Sequence, residues 1–326
     1  MRRSEIGVDL AWFMRAHRRT SGRWGSVAAP PPSRAWTAGD KMVKSPASLL
    51  TWLRKRLRLK SAKPQHVGIL VSYPKSGRTW LRVMLGELNL PLDYRHDGAT
   101  DSRPRPFEEL RLCDQEVYRE KPVVLLSRDP RDTVVSCYFQ KSLRLDGYAG
   151  AMADFVRDPL HGIEKIVRYN LAWLTRGVEL SAFLPVTYEE IITDPVAVMR
   201  GIVDFIGVDR DDAEIERVVA NNTFDRMRQR EAGGEYSQRF RRKLSPSDPG
   251  NPESYKVRRG KVGGYVDYLS AEDIAYCDEI LERYRYFDTC RELTLTKPAR
   301  KGAWQSGKRN AGNETQARHP DRTLSH

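Results

Sequence analysis

The sequence predicts an α/β fold: a single domain with a central parallel sheet covered by helices on both faces. Three observations predict it. Short β-branched or apolar runs recur at residues 67–72, 122–127 and 183–187. Each is followed by a turn and then by apolar residues at helical spacing. Apolar residues make up 40% of the 326, enough to bury such a sheet on both sides.

The elements follow in chain order. The run from Val67 to Ser72 leads through a loop into a helical pattern from Thr79 to about Leu88. The second run, PVVLLS at 122–127, precedes a helix reaching about Leu143. Asp129 is placed to cap that helix, and Pro130 suits its first turn. The third run, Phe183 to Thr187, precedes a helix over 195–206 that stops at Gly207. No internal repeat of 20–50 residues appears.

The folded domain is expected over residues 64–296. The net charge of +13 raises the question of a nucleic-acid or membrane partner, and its distribution answers it. Residues 1–63 carry 15 Lys and Arg against 3 acids, and residues 297–326 carry 7 against 2. The segment between them is net negative by 4, so the basicity belongs to the ends. The leader, 1–63, is rich in Arg, Ala, Ser and Pro and reads as largely disordered, as does the basic tail, 297–326. Within the leader, residues 45–60 are a candidate helix for peripheral membrane contact, with Leu49, Leu50, Leu53 and Leu57 on one stripe; packing of those leucines on the body is the blander reading. Nucleic acid is not an expected partner. Four cysteines without a paired spacing, no long apolar run and no secretory leader point to a cytoplasmic protein.

The chemistry concentrates after the first run, in Tyr73-Pro74-Lys75-Ser76-Gly77-Arg78-Thr79-Trp80. Gly77 permits a tight turn that aims successive backbone N–H groups at one anion, and the helix N-terminus adds more. Lys75 adds a mobile charge, and Ser76 and Thr79 add hydroxyls. In a Walker A loop the Lys follows the second Gly; here Lys75 precedes Gly77. The order resembles the 5′-phosphosulfate loop of the sulfotransferases that use 3′-phosphoadenosine 5′-phosphosulfate (PAPS), written YPKSGTTW. Seven of its eight positions match, Arg78 being the exception.

The resemblance continues along residues 65–290. In the family, an Arg at a strand end and a Ser eight residues later hold the 3′-phosphate of the nucleotide; Arg128 and Ser136 have that spacing. Tyr188, in Thr187-Tyr188-Glu189-Glu190, matches the Tyr that approaches the adenine, and residues 222–227 resemble a segment lining the nucleotide. Arg258, Arg259 and Gly260 match the start of the late "RKGxxGDW" loop over the 3′-phosphate. The sequence departs from that pattern at Lys256, where an aromatic is usual, and at Gly264, where Asp is usual.

The resemblance implies a P-loop-like sulfotransferase architecture and sulfuryl transfer from PAPS, as co-substrate, to a hydroxyl or amine. Lys75 would neutralise the leaving oxygen, and His96 is the best match for the base, although it lies 32 residues before Arg128. Glu108 or Glu109 is the alternative base. No metal is expected. Acceptor-binding residues, for a small-molecule or carbohydrate acceptor, would lie on loops 95–118, 143–165 and 230–255; in the last, Arg239, Arg241, Arg242 and Lys243 either admit an acidic or carbohydrate acceptor or form a solvated charge run. Two other readings stay open from residues alone: an ATP-dependent P-loop kinase, and a non-catalytic basic membrane- or nucleic-acid-binding protein.

Overall fold

The computed structural model describes residues 66–100, 103–112, 116–145, 147–236, 247–248 and 250–295. The chain divides into two units, Met1–Ser61 and Ala62–His326, and every described residue belongs to the second. The leader, the 45–60 segment, the basic run at 239–243 and the tail lie outside the described residues.

Four strands form one parallel sheet: β1 (Gly68–Ser72), β2 (Leu92–Arg95), β3 (Val123–Ser127) and β4 (Phe183–Thr187), in the order β2-β1-β3-β4. The sequence of apolar runs anticipates β1, β3 and β4; β2 is the addition. In register, Val71 pairs with Arg95, Ser72 with Leu126, and Ser127 with Thr187. All four carboxyl ends therefore lie along one edge. The chain goes from β1 outward to β2 on one side, then returns to place β3 on the other. That reversal between β1 and β3 opens the crevice in which open parallel sheets bind ligands.

Alternation along the strands supplies both faces. Leu70, Val124, Leu126 and Val186 pack with Leu81, Met84 and Leu85 of α1 (Arg78–Glu87), and with helices α7 (Pro195–Ile206) and α8 (Asp212–Asn221). Ile69, Val71, Val123 and Leu125 alternate with them and are equally buried. On their side, α5 (Ile163–Gly177) packs on β3 and on α3 (Pro130–Phe139). Short helices α2 (Val117–Glu120) and α4 (Met152–Arg157) lie in the connections, and α6 (Tyr188–Thr193) follows β4 directly. The chain continues through α9 (Phe224–Ala232), α10 (Ala271–Arg283) and α11 (Tyr286–Leu295).

Caps fix where the helices begin. The Asp129 side chain accepts from Arg131 N with Pro130 at the first position, as its sequence implies. Thr187 and Glu190 form a capping box, so β4 runs into α6 without a loop. Asp194 accepts from Ala197 N, and Gly207 ends α7 at φ 75°. The helix expected to reach Leu143 keeps α geometry only to Phe139; a π turn over Gln140–Arg144 continues it. No described helix is long and apolar enough to cross a membrane.

Candidate active site

Each strand delivers one piece of the site at its carboxyl end. After β1 comes the loop 73–77, after β2 His96, after β3 Arg128, and after β4 Tyr188. All four line one cleft of about 150 Å³. Its wall carries seven Lys and Arg side chains (Lys75, Arg78, Arg128, Lys256, Arg258, Arg259 and Lys261) and one carboxylate, Asp132. A concave wall with that balance selects an anion.

The loop after β1 turns through two left-handed residues, Lys75 at φ 70° and Gly77 at φ 92°. Only glycine fits at the second. A Cβ on Gly77 would lie 2.9 Å from Tyr188 Cε2 and closer still to Cδ2. Gly77 is the N-cap of α1 and offers no side-chain acceptor to the first N–H groups of the helix, the end at which helices bind anions. Lys75 Nζ donates to Gln140 Oε1 at 3.3 Å, a contact the π turn provides. Arg78 donates to the Arg95 carbonyl at 3.1 Å. Trp80 Nε1 donates to the Asn222 carbonyl at 2.6 Å, which ties α1 to the turn before Phe224.

The second half of the cleft centres on Arg128. Its guanidinium lies 4.4 Å from the Tyr188 ring centre, donates to the Lys261 carbonyl at 3.0 Å and pairs with Asp132 at 3.2 Å. Its Nε is buried without a hydrogen-bond partner. Ser136, two turns along α3, also faces the cleft. The loop 256–261 closes the far wall. Arg258 donates to Glu253 at 2.7 Å and to the Tyr268 hydroxyl at 2.6 Å; Arg259 is more exposed and also pairs with Glu253. Gly260, at φ 65°, lies directly against the Phe224 ring. Trp80, Phe224 and Met227 add apolar surface to the same wall.

His96 follows β2 immediately and lines the cleft with a half-buried ring. Its Nδ1 lies 2.6 Å from the Ser72 carbonyl. Nδ1 must carry the hydrogen for that contact, so Nε2 holds the lone pair. Burial, then the nearby Arg78 charge, push its pKa down to about 3. Glu108 sits away from the cleft wall, half-exposed and paired with Arg168 at 2.8 Å, and Glu109 is exposed; neither lines the cleft. The insertion that separates His96 from Arg128 is the stretch holding the 3₁₀ turn Phe107–Glu109 and α2.

Of the residues expected to bind nucleotide, Lys75, Gly77, Arg78, Thr79, Trp80, Arg128, Ser136, Tyr188, Arg258, Arg259 and Gly260 all reach the cleft. Ser76 does not: its side chain is fully buried and its Oγ has no partner. Sequence reasoning missed Asp132 and Lys261 on the wall; Phe224 and Met227 come from the 222–227 segment expected to line the nucleotide. Asp132 reads from sequence as a first-turn acid that suits the helix dipole, and nothing local shows its longer reach. Lys256 supplies a cation where the loop pattern has an aromatic ring, and Tyr255 beside it is not on the wall.

A sulfotransferase domain model matches residues 95–295, well over half of the chain. The match begins after the loop 73–80, whose reading rests on its own residues and geometry. The 3-beta-hydroxysteroid sulfotransferase of Cavia porcellus is 24% identical over 242 residues, covering 66% of this chain and 82% of its own. The crystal structure of mouse sulfotransferase SULT7A1 complexed with PAP superposes with a TM-score of 0.50 at 21% identity, covering 70% of this chain and 87% of the other. That likeness shows a shared fold, with the parallel sheet and helical layers described above. With the family model spanning the strand ends His96, Arg128 and Tyr188 and the closing loop, the chain belongs to the sulfotransferase family and is an enzyme of sulfuryl transfer.

Proposed function

We propose that the chain transfers a sulfuryl group from PAPS to a hydroxyl or amine of a small-molecule or carbohydrate acceptor, releasing 3′,5′-phosphoadenosine (PAP). One observation carries this reading: a single cleft gathers the loop after β1, Arg128 and Ser136 after β3, and Arg258–Gly260 on one wall with Trp80, Phe224 and Met227. The loop 73–77 with the α1 N-terminus would take the 5′-phosphosulfate. Arg128, Ser136 and Arg258–Gly260 would take the 3′-phosphate, and Trp80, Phe224, Met227 and Tyr188 the adenosine. The residues present fit such a ligand, since Arg128 Nε is buried with no partner inside the subsite assigned to an anion. A cytoplasmic setting, where the described cysteines stay as thiols, goes with this reading.

In the transfer, the acceptor oxygen or nitrogen bonds to sulfur as the bond from sulfur to the phosphate oxygen breaks. Lys75 places positive charge where the leaving oxygen gains negative charge, a task worth roughly 10²–10³ in rate for one preorganised donor. His96 Nε2 takes the acceptor's proton. Its Nδ1–H bond to Ser72 holds the ring in the tautomer this needs. In the free protein burial, and after it the Arg78 charge, keep His96 a weak base. Anionic groups settling beside Arg78 offset the smaller, electrostatic part of that shift and move the pKa upward.

Binding tests the assignment of the two subsites. Arg128→Ala should weaken PAP by about 10-fold or more, the scale of one charge-assisted hydrogen bond, and leave adenosine 5′-phosphosulfate nearly unchanged because that ligand lacks the 3′-phosphate. Equal losses for both ligands in calorimetry would move Arg128 to a different role.

A further inference from the structure

Asp132 is the one carboxylate on a wall with seven cations, and it stands where an anion is expected to bind. Left to its charge alone it would repel that anion. Its geometry points elsewhere. The side chain is only 2% exposed, and both oxygens are engaged. Oδ2 accepts from Gly263 N at 2.9 Å and forms an ion pair with Arg128 Nη2 at 3.2 Å; Oδ1 accepts from Tyr265 N at 2.9 Å. One residue in the first turn of α3 thus ties down the end of the closing loop and the guanidinium beside it.

The other end of the same loop has a matching anchor. Glu231, 1% exposed, accepts from Lys256 N at 2.6 Å and from Val257 N at 2.8 Å. The stretch Arg258–Lys261 is therefore held between two buried carboxylates before any ligand arrives. Arg128 Nη2 is held in turn by both Asp132 and the Lys261 carbonyl. Because two backbone N–H groups and a guanidinium divide the Asp132 charge, little of it is left to oppose an incoming phosphate.

We propose that Asp132 is a positioning residue for the donor's 3′-phosphate, which it serves by fixing Arg128 and the loop 258–265 in their binding geometry. This rests on the assignment of that subsite to the 3′-phosphate. Asp132→Asn keeps the shape but puts an NH₂ where at least one of the three donors now points, leaving that donor unmatched.

The test is calorimetry of the full chain with PAP and with adenosine 5′-phosphosulfate. Asp132→Asn should weaken PAP about 10-fold or more while 5′-phosphosulfate binding stays within about threefold, which also shows that the variant is folded. A purely structural loss would weaken both ligands alike and overturn the proposal. Unchanged or tighter PAP binding would overturn it too, by showing that the carboxylate only repels. Should the variant fail to fold, hydrogen exchange on the wild-type protein decides: the Gly263 and Tyr265 amides should be protected without ligand, and free exchange there ends the proposal. Wild-type protein that does not prefer PAP overturns the 3′-phosphate reading itself, and the proposal with it. A wild-type preference for PAP that Asp132→Asn leaves intact overturns the proposal alone.

Discussion

Gly77→Ala adds one methyl group and is expected to disable both halves of the cleft. The backbone at 77 sits at φ 92°, where an alanine costs about 1–2 kcal/mol relative to glycine. The new Cβ would lie 2.9 Å from Tyr188 Cε2, well inside contact distance, and nearer still to Cδ2. The Tyr188 ring is buried against Trp80 and carries Arg128 on its face, so it has little freedom to yield. Pushing it off its rotamer costs about 0.5–1.5 kcal/mol more. The sum, roughly 1.5–3.5 kcal/mol, is relieved most readily by shifting the loop or the ring, and either movement spoils a subsite. At 1.4 kcal/mol per tenfold, PAP affinity should drop by roughly 10- to 300-fold. Titration calorimetry with PAP, alongside a thermal melt to confirm folding, measures it. Affinity within about threefold of wild type in a folded Gly77→Ala protein would refute the steric reasoning.

Gly201 offers the opposite case: it lies inside α7, exposed, with nothing within 4 Å of an added Cβ. Gly201→Ala should raise stability by about 0.5–1 kcal/mol without altering turnover, read as a higher melting temperature. His96, with its pKa pushed down to about 3, should stay neutral in the free protein at pH values where an ordinary histidine is protonated. The unfolded chain takes up that proton near pH 6.5, so the stability His96 contributes is complete above pH 6.5 and is lost as pH falls toward 3. NMR of the labelled ring should show this low titration, moving upward when PAP is added. A free-protein midpoint near 6.5 would contradict the burial argument.

Much of this site can be read in the sequence because its residues sit beside strand ends. The runs that become β1, β3 and β4 are apolar enough to be recognised, and the loop, Arg128 and Tyr188 follow them without delay. β2 was not legible: only the first of its four residues is buried, and Leu-Asp-Tyr-Arg at the sheet's edge lacks the apolar run of the others. His96 was therefore placed by resemblance, not by an element. The π turn that brings Gln140 to Lys75 has no sequence signature beyond an apparent helix. Asp132 and Glu231 were missed because their partners are far along the chain: Gly263 and Tyr265 for one, Lys256 and Val257 for the other. Gly260 was placed by resemblance to the late loop, and the structure shows its use: a left-handed glycine that Phe224 approaches closely. The loops that would hold an acceptor mix short apolar and charged stretches without periodicity, so their sequence gives residue types but no placement.

Sulfuryl transfer from PAPS is tested most directly by turnover in a metal-free assay. Purified full-length chain is incubated with PAPS and a library of hydroxyl and amine acceptors. PAP release and acceptor mass are followed together, with Lys75→Ala run in parallel. The account predicts equal amounts of PAP and of an acceptor heavier by one sulfuryl group, and a loss of about 10²-fold or more in folded Lys75→Ala. Near-wild-type turnover in folded Lys75→Ala, or PAPS left intact while ATP with Mg²⁺ is consumed, would contradict it.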